Sequence, residues 1–137
     1  MELTKRKGNS IVFLDDCQTL NKILDDGYFK HHRISQENNL FTCSEASELF
    51  DLTDSGLVLD YLVLDYVLPG TDSLLIAQLI KHKNNRCKVW LFTGMPEKYI
   101  IDQRKKYVDR YINKDEGIPF VLNELYGFSQ GSGSPKQ

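Results

Sequence analysis

The chain is poor in cysteine and has no long apolar run. Its three cysteines, Cys17, Cys43 and Cys87, lie in separate segments with neither CxxC nor His-linked spacing. Neither a zinc site nor a disulfide framework is therefore expected, and all three read as small core residues. No stretch approaches the length of a membrane-spanning helix, and the opening MELTKRKGNS lacks the apolar centre of a signal peptide; the expectation is a cytoplasmic protein that does not insert into a membrane. Charge of one sign is not in excess either. With 17 basic and 19 acidic residues the formal charge is -2, which argues against direct nucleic-acid binding by bulk electrostatics and points to protein partners. No Ser/Thr/Gly-rich phosphate loop follows the first strand-like run, which disfavours an electron carrier that holds flavin phosphate there.

What is present alternates. The 137 residues suffice for one domain with a real core, and strand-like and helix-like segments follow one another in five repeats, the pattern of a parallel α/β sheet covered by helices on both faces. Strand one is Ile11 to Leu14, followed by a helix with Leu20, Ile23 and Leu24 at helical spacing. Strand two is Leu40 to Cys43, with part of Arg33 to Ser35 nearby, and Ser44 is placed to cap a helix bearing Ala46, Leu49 and Phe50. Strand three, Tyr61 to Leu64, is nearly continuous in apolar residues, as a central strand buried on both faces should be. After a Pro69-Gly70 turn, Asp72 or Ser73 caps a helix with Leu74, Leu75, Ala77, Leu79 and Ile80. Strand four is Lys88 to Phe92, and Pro96 opens a fourth helix containing Tyr99, Ile100, Ile101 and Tyr107. Strand five is Val108 to Ile112, and the last helix spans Ile118 to Tyr126. Residues 1–128 form the domain; 129–137, polar and rich in Gly and Ser, read as a disordered tail or the start of a linker.

In open α/β sheets ligands bind at the carboxyl ends of the strands. The residues there are Asp15 and Asp16 after strand one, Asp65 after strand three, Thr93 after strand four and Lys114 after strand five. Two unit charges about 4 Å apart repel by roughly 4 kcal/mol at an effective dielectric near 20, so three clustered carboxylates need a cation or a proton. Mg²⁺ takes carboxylate, carbonyl and water oxygens and leaves positions for phosphate. Lys114 and Thr93 then suit a phosphoryl oxygen, by charge and by hydroxyl donation.

This ordered set, an acidic pair after strand one, Asp65-x-x-Leu68-Pro69 after strand three, Thr93-Gly94 after strand four and Lys114 after strand five, resembles the receiver domain of two-component response regulators over roughly residues 8–126. The resemblance implies a flavodoxin-like (βα)5 doubly wound sheet of order 2-1-3-4-5. It implies that Asp65 accepts a phosphoryl group from a sensor histidine kinase or phosphotransfer protein. It further implies that Asp15, Asp16, Asp65 and the backbone carbonyl of Val67 hold Mg²⁺, and that Lys114 and Thr93 bind the acyl phosphate. Tyr111 matches the aromatic switch position, coupled to Thr93; a fixed core aromatic is the other reading of that residue. Such a phosphoprotein is a signalling switch of a phosphorelay, not an enzyme beyond its own phosphorylation and dephosphorylation. Its output is a downstream target protein or an output domain missing from this chain.

Three residues depart from the family pattern: Asp115 follows the lysine where proline is usual, Ser73 replaces a glycine, and Val67 offers no polar side chain two residues beyond Asp65. The alternative is a pseudo-receiver module that binds proteins without phosphorylation. An aspartyl phosphohydrolase is disfavoured, because such enzymes want a second acid at the position Val67 occupies. His31, His32, the basic stretch Lys81 to Lys88 and the face Arg104 to Lys106 are expected to be solvated surface.

Overall fold

Continuous apolar runs become the central strands. The computed structural model describes residues 9–17 and 38–129. The helix expected around Leu20 to Leu24, the Arg33 to Ser35 segment, His31, His32 and the tail from residue 130 lie outside them. The main sheet has five strands, β1 (Ser10–Leu14), β2 (Asn39–Cys43), β3 (Tyr61–Leu64), β4 (Lys88–Thr93) and β5 (Arg110–Asn113). All pairings are parallel and the order is β2-β1-β3-β4-β5, the flavodoxin-like doubly wound arrangement expected. Strand bounds differ from expectation by one or two residues, within the fraying of any terminus.

Successive strand residues face opposite sides of the sheet. Val12, Leu14, Leu62, Leu64, Val89 and Leu91 point to one side, where Leu49 of α1 (Ala46–Asp54) and Leu74, Ala77 and Ile80 of α2 (Ser73–Lys83) cover them. Ile11, Phe13, Val63, Trp90 and Phe92 point to the other, against Val121, Leu122 and Leu125 of α3 (Ile118–Ser129). Cys43 and Cys87 are buried, and burial pushes both thiols up to about 12. Cys17 is exposed, contrary to its reading as a core residue, because it follows β1 past the edge of the packed layer.

Two local expectations are corrected. Glu45, not Ser44, is the N-cap of α1. The Glu48 carboxylate turns back to accept from Ser44 N (2.6 Å), Ser44 Oγ (3.2 Å) and Glu45 N (3.1 Å), so a charged acceptor replaces the serine hydroxyl as the satisfier of the helix start. The fourth helix does not form. Residues 94–109 carry two 3-10 turns, Glu97–Tyr99 and Gln103–Tyr107. Ile100 is extended between the turns, so that it and Ile101 face opposite ways: Ile100 is 1% exposed and Ile101 is 91% exposed. Asp102 then accepts from Arg104 N at 2.8 Å and restarts the chain as a new cap.

Asp109 ties this region together. Its Oδ2 accepts from Val89 N at 2.8 Å and from Lys81 Nζ at 2.7 Å, and the same ammonium donates to Cys87 O at 2.7 Å. Lys81 is therefore an internal brace and not the solvated lysine expected. We expect Asp109→Ala to lower unfolding stability by about 1–3 kcal/mol, read as a lower urea midpoint at unchanged slope.

Candidate functional site

Strand register sets the site. Leu14 lies opposite Leu64, so Asp15 and Asp65 leave neighbouring strands at one level. Asp65 N donates to Leu14 O, and Asp15 N to Cys43 O, each at 3.0 Å. Both side chains are buried while Asp16 is exposed, and one carboxylate oxygen from each of the three lies within 4.8 Å of the others. After Asp65 the chain makes a hairpin, Val67–Leu68 against Thr71–Asp72, closed by Pro69 and by Gly70 at φ 68°, a conformation that glycine adopts without steric cost. Asp72 caps α2 by accepting from Leu75 N at 3.2 Å.

Lys114 starts the 3-10 turn after β5 and reaches across the end of β4. Its Nζ is 2.9 Å from Asp15 Oδ2 and 3.3 Å from Asp65 Oδ2. The other Asp65 oxygen, Oδ1, accepts from Val67 N at 3.2 Å, and Asp15 Oδ1 accepts from Cys17 N at 2.9 Å. Thr93, last residue of β4 and buried, has its Oγ1 accepting from Met95 N at 3.2 Å. An open depression is lined by Asp16, Asp65, Thr93 and Lys114 on its polar side and by Val67, Pro69, Met95, Pro96 and Tyr99 on its apolar side. The Lys114–Asp115 peptide is trans.

Burial, and then the charge of Asp15, raise the Asp65 carboxyl above its ordinary range, against the opposing pull of Lys114 and the Val67 N–H. For Lys114 burial acts downward, but the hydrogen bond to Asp15 and the charges of both acids outweigh it and the ammonium is held above its usual value. One ammonium among three carboxylates leaves negative charge in excess. The all-oxygen donor set and this excess fit a hard divalent cation such as Mg²⁺.

Two groups near the site were not legible in the sequence. Ser73, buried, places its Oγ 2.8 Å from Asp65 O and 2.7 Å from Tyr66 O, pinning the backbone of the acceptor loop; the only signal was a polar residue where the resembling family has glycine. Arg104 donates to Asp72 and Asp102 instead of lying free in solvent, and the nearby Asp102 was the available clue. Tyr111 is half-buried: its ring packs against the core, Lys105 Nζ lies 5.8 Å from the ring centroid, and its buried hydroxyl has no hydrogen-bond partner among the described residues. Burial, then the nearby Glu97 and Tyr66, raise its phenol above the usual range.

No protein-family model matches the chain, and no curated protein matches it. Solved structures do. The DrrB receiver domain of Thermotoga maritima, activated with BeF3, aligns at TM-score 0.70 and 18% identity over 90% of this chain and 98% of that one. The signal receiver domain of an HD domain-containing protein from Pseudomonas fluorescens aligns at 0.72 and 18% over 94% and 92%. The response regulator TrrA of T. maritima, solved in complex with Mg²⁺-BeF, aligns at 0.68 and 21% over 87% and 97%; TrrA is also known in complex with the histidine kinase ThkA. The fold is thus the receiver-domain fold of two-component response regulators.

Replacing Lys114 by Met removes the cation that two buried carboxylates share. In EDTA we expect a loss of about 1–3 kcal/mol, discounted for the partial exposure of the lysine, and Mg²⁺ should restore most of it. Thermal unfolding with and without Mg²⁺ checks this; a loss that Mg²⁺ leaves untouched would show that the acids do not share a cation.

Proposed function

We propose that residues 1–128 are a receiver domain that accepts a phosphoryl group on Asp65 and thereby switches a protein-binding surface, with 129–137 as tail or linker. The observation that carries this is the clustering of three strand-end carboxylates, two of them on one ammonium, beside a depression that Thr93 also lines. Its donor is a sensor histidine kinase or phosphotransfer protein; the complex of TrrA with ThkA supports that choice. Its output is a target protein or an output domain outside this chain, in the cytoplasm, without direct nucleic-acid binding.

The chemistry follows from the residues. An oxygen of Asp65 attacks phosphorus in line; the new P–O bond forms as the donor P–N bond breaks, and the electron pair leaves with the imidazole nitrogen. Lys114 and the Thr93 hydroxyl stabilise charge on the phosphoryl oxygens. Bound Mg²⁺, held by Asp15, Asp16, Asp65 and the Val67 carbonyl, supplies further positive charge to the same oxygens. Thr93 turning toward the new phosphoryl group is coupled to an inward swing of Tyr111 on β5. The domain catalyses only its own modification and its loss.

Incubation with acetyl phosphate and Mg²⁺ should add one phosphoryl group by intact mass, and none with Asp65→Asn or in EDTA. No addition to the wild-type chain would return the choice to a module that works unphosphorylated. Val67, 57% exposed beside Asp65, presents an apolar side chain to the incoming water. Val67→Asn should shorten the phosphorylated lifetime several-fold, followed by mass after donor removal; an unchanged lifetime would refute that role.

A further inference from the structure

The 94–109 connection packs on the core through Met95, Ile100, Tyr107 and Val108, and one polar tie leads from it to the acceptor loop. All three Arg104 guanidinium nitrogens are used: Nε and Nη2 fork onto Asp102 Oδ1 and Oδ2 at 3.0 and 2.9 Å, and Nη1 meets Asp72 Oδ2 at 2.8 Å. Such a fork fixes the direction of the third nitrogen, so the arm toward Asp72 is aimed and not a chance surface pair. Asp72 in turn stands opposite Val67 in the hairpin, and the Val67 N–H is bonded to Asp65 Oδ1. The neighbour of Arg104, Lys105, lies 5.8 Å from the Tyr111 ring centroid and 3.9 Å from Glu97 Oε2.

We infer that Arg104 is a positioning residue that couples the acceptor loop to the 97–107 segment, the Asp72–Arg104 ion pair carrying a change at Asp65 to that surface. The inference rests on the function proposed above. Modification of Asp65 alters the acceptor that holds the Val67 N–H; the hairpin transmits that change to Asp72, and the forked arginine hands it to the second 3-10 turn. With its turns not joined in one helix, the segment has no continuous ladder to resist being moved from one end. The ion pair is half-exposed and contributes little to stability, so its removal tests coupling and not folding.

The test is a ¹⁵N–¹H NMR titration of the whole chain with Mg²⁺ and BeF3⁻ as the phosphoryl stand-in, on wild type, Arg104→Gln and Asp72→Asn. Asparagine caps a helix as well as aspartate does, so the second variant removes the ion pair and keeps the start of α2. In wild type, the amides of Val67, Thr93 and Lys114 and those of 97–107 should shift. In both variants the first group should shift as before, while the shifts of 97–107 fall by about half or more. Equal responses in variants and wild type, or a silent 97–107 segment in a wild type whose Thr93 and Lys114 respond, would overturn the coupling and leave the proposed function standing. Lower thermal midpoints with an unaltered shift pattern would reduce Arg104 to a structural brace. Absence of any shift at Thr93 and Lys114 would sink the proposed function, and the coupling with it.

Discussion

The register of β1 against β3 is the constraint on which the rest depends. Pairing Leu14 with Leu64 forces two acids, each the first residue after a buried strand, into mutual proximity where little water reaches them. Like charges there repel by several kcal/mol, and the molecule answers with one long side chain. Lys114 comes from a strand that does not touch β1 or β3, so a short base at that position could not reach either acid. Its four-carbon stem spans the end of β4 and passes Phe92, whose ring centroid is 6.0 Å from Nζ. The lysine neutralises the acids only in part, and the negative charge left over suits a hard cation.

Much of this was legible in one dimension. Central parallel strands are buried on both faces, so Ile11 to Leu14, Tyr61 to Leu64 and Lys88 to Phe92 read as strands without help from neighbours, and the polar residue ending each run marked the carboxyl edge of the sheet. Asp15, Asp16, Asp65 and Lys114 could be expected to lie together because each follows a strand at the carboxyl edge of the sheet. The connection between β4 and β5 was misread because Tyr99, Ile100 and Ile101 suggested an apolar face. Only tertiary packing reveals that of these three the core takes Ile100 alone. Ser73 and Arg104 were illegible for a related reason: a hydroxyl and a guanidinium announce that they will bond, but their partners, eight and 32 residues away, are chosen by the fold.

The three departures from the receiver pattern now have places. Ser73 fills the position of a small residue by turning its hydroxyl onto the Asp65 and Tyr66 carbonyls, adding a donor where a glycine has none. Asp115 does not enter the charge cluster: its N–H is taken by the Asn113 side chain at 2.8 Å and it is exposed. Val67 faces solvent at the lip of the depression. The acidic centre itself is undisturbed by all three.

The two short turns between β4 and β5 have a mechanical consequence. A continuous helix behaves as a lever: its hydrogen-bond ladder makes any displacement at one end a displacement of the whole. This connection is instead two separate turns, seated by Met95, Ile100, Tyr107 and Val108 on the core and by Arg104 on Asp72, with Ile101 standing clear between them. A partner that gripped Ile101 would therefore hold a point between two separately seated turns, not the face of one rod.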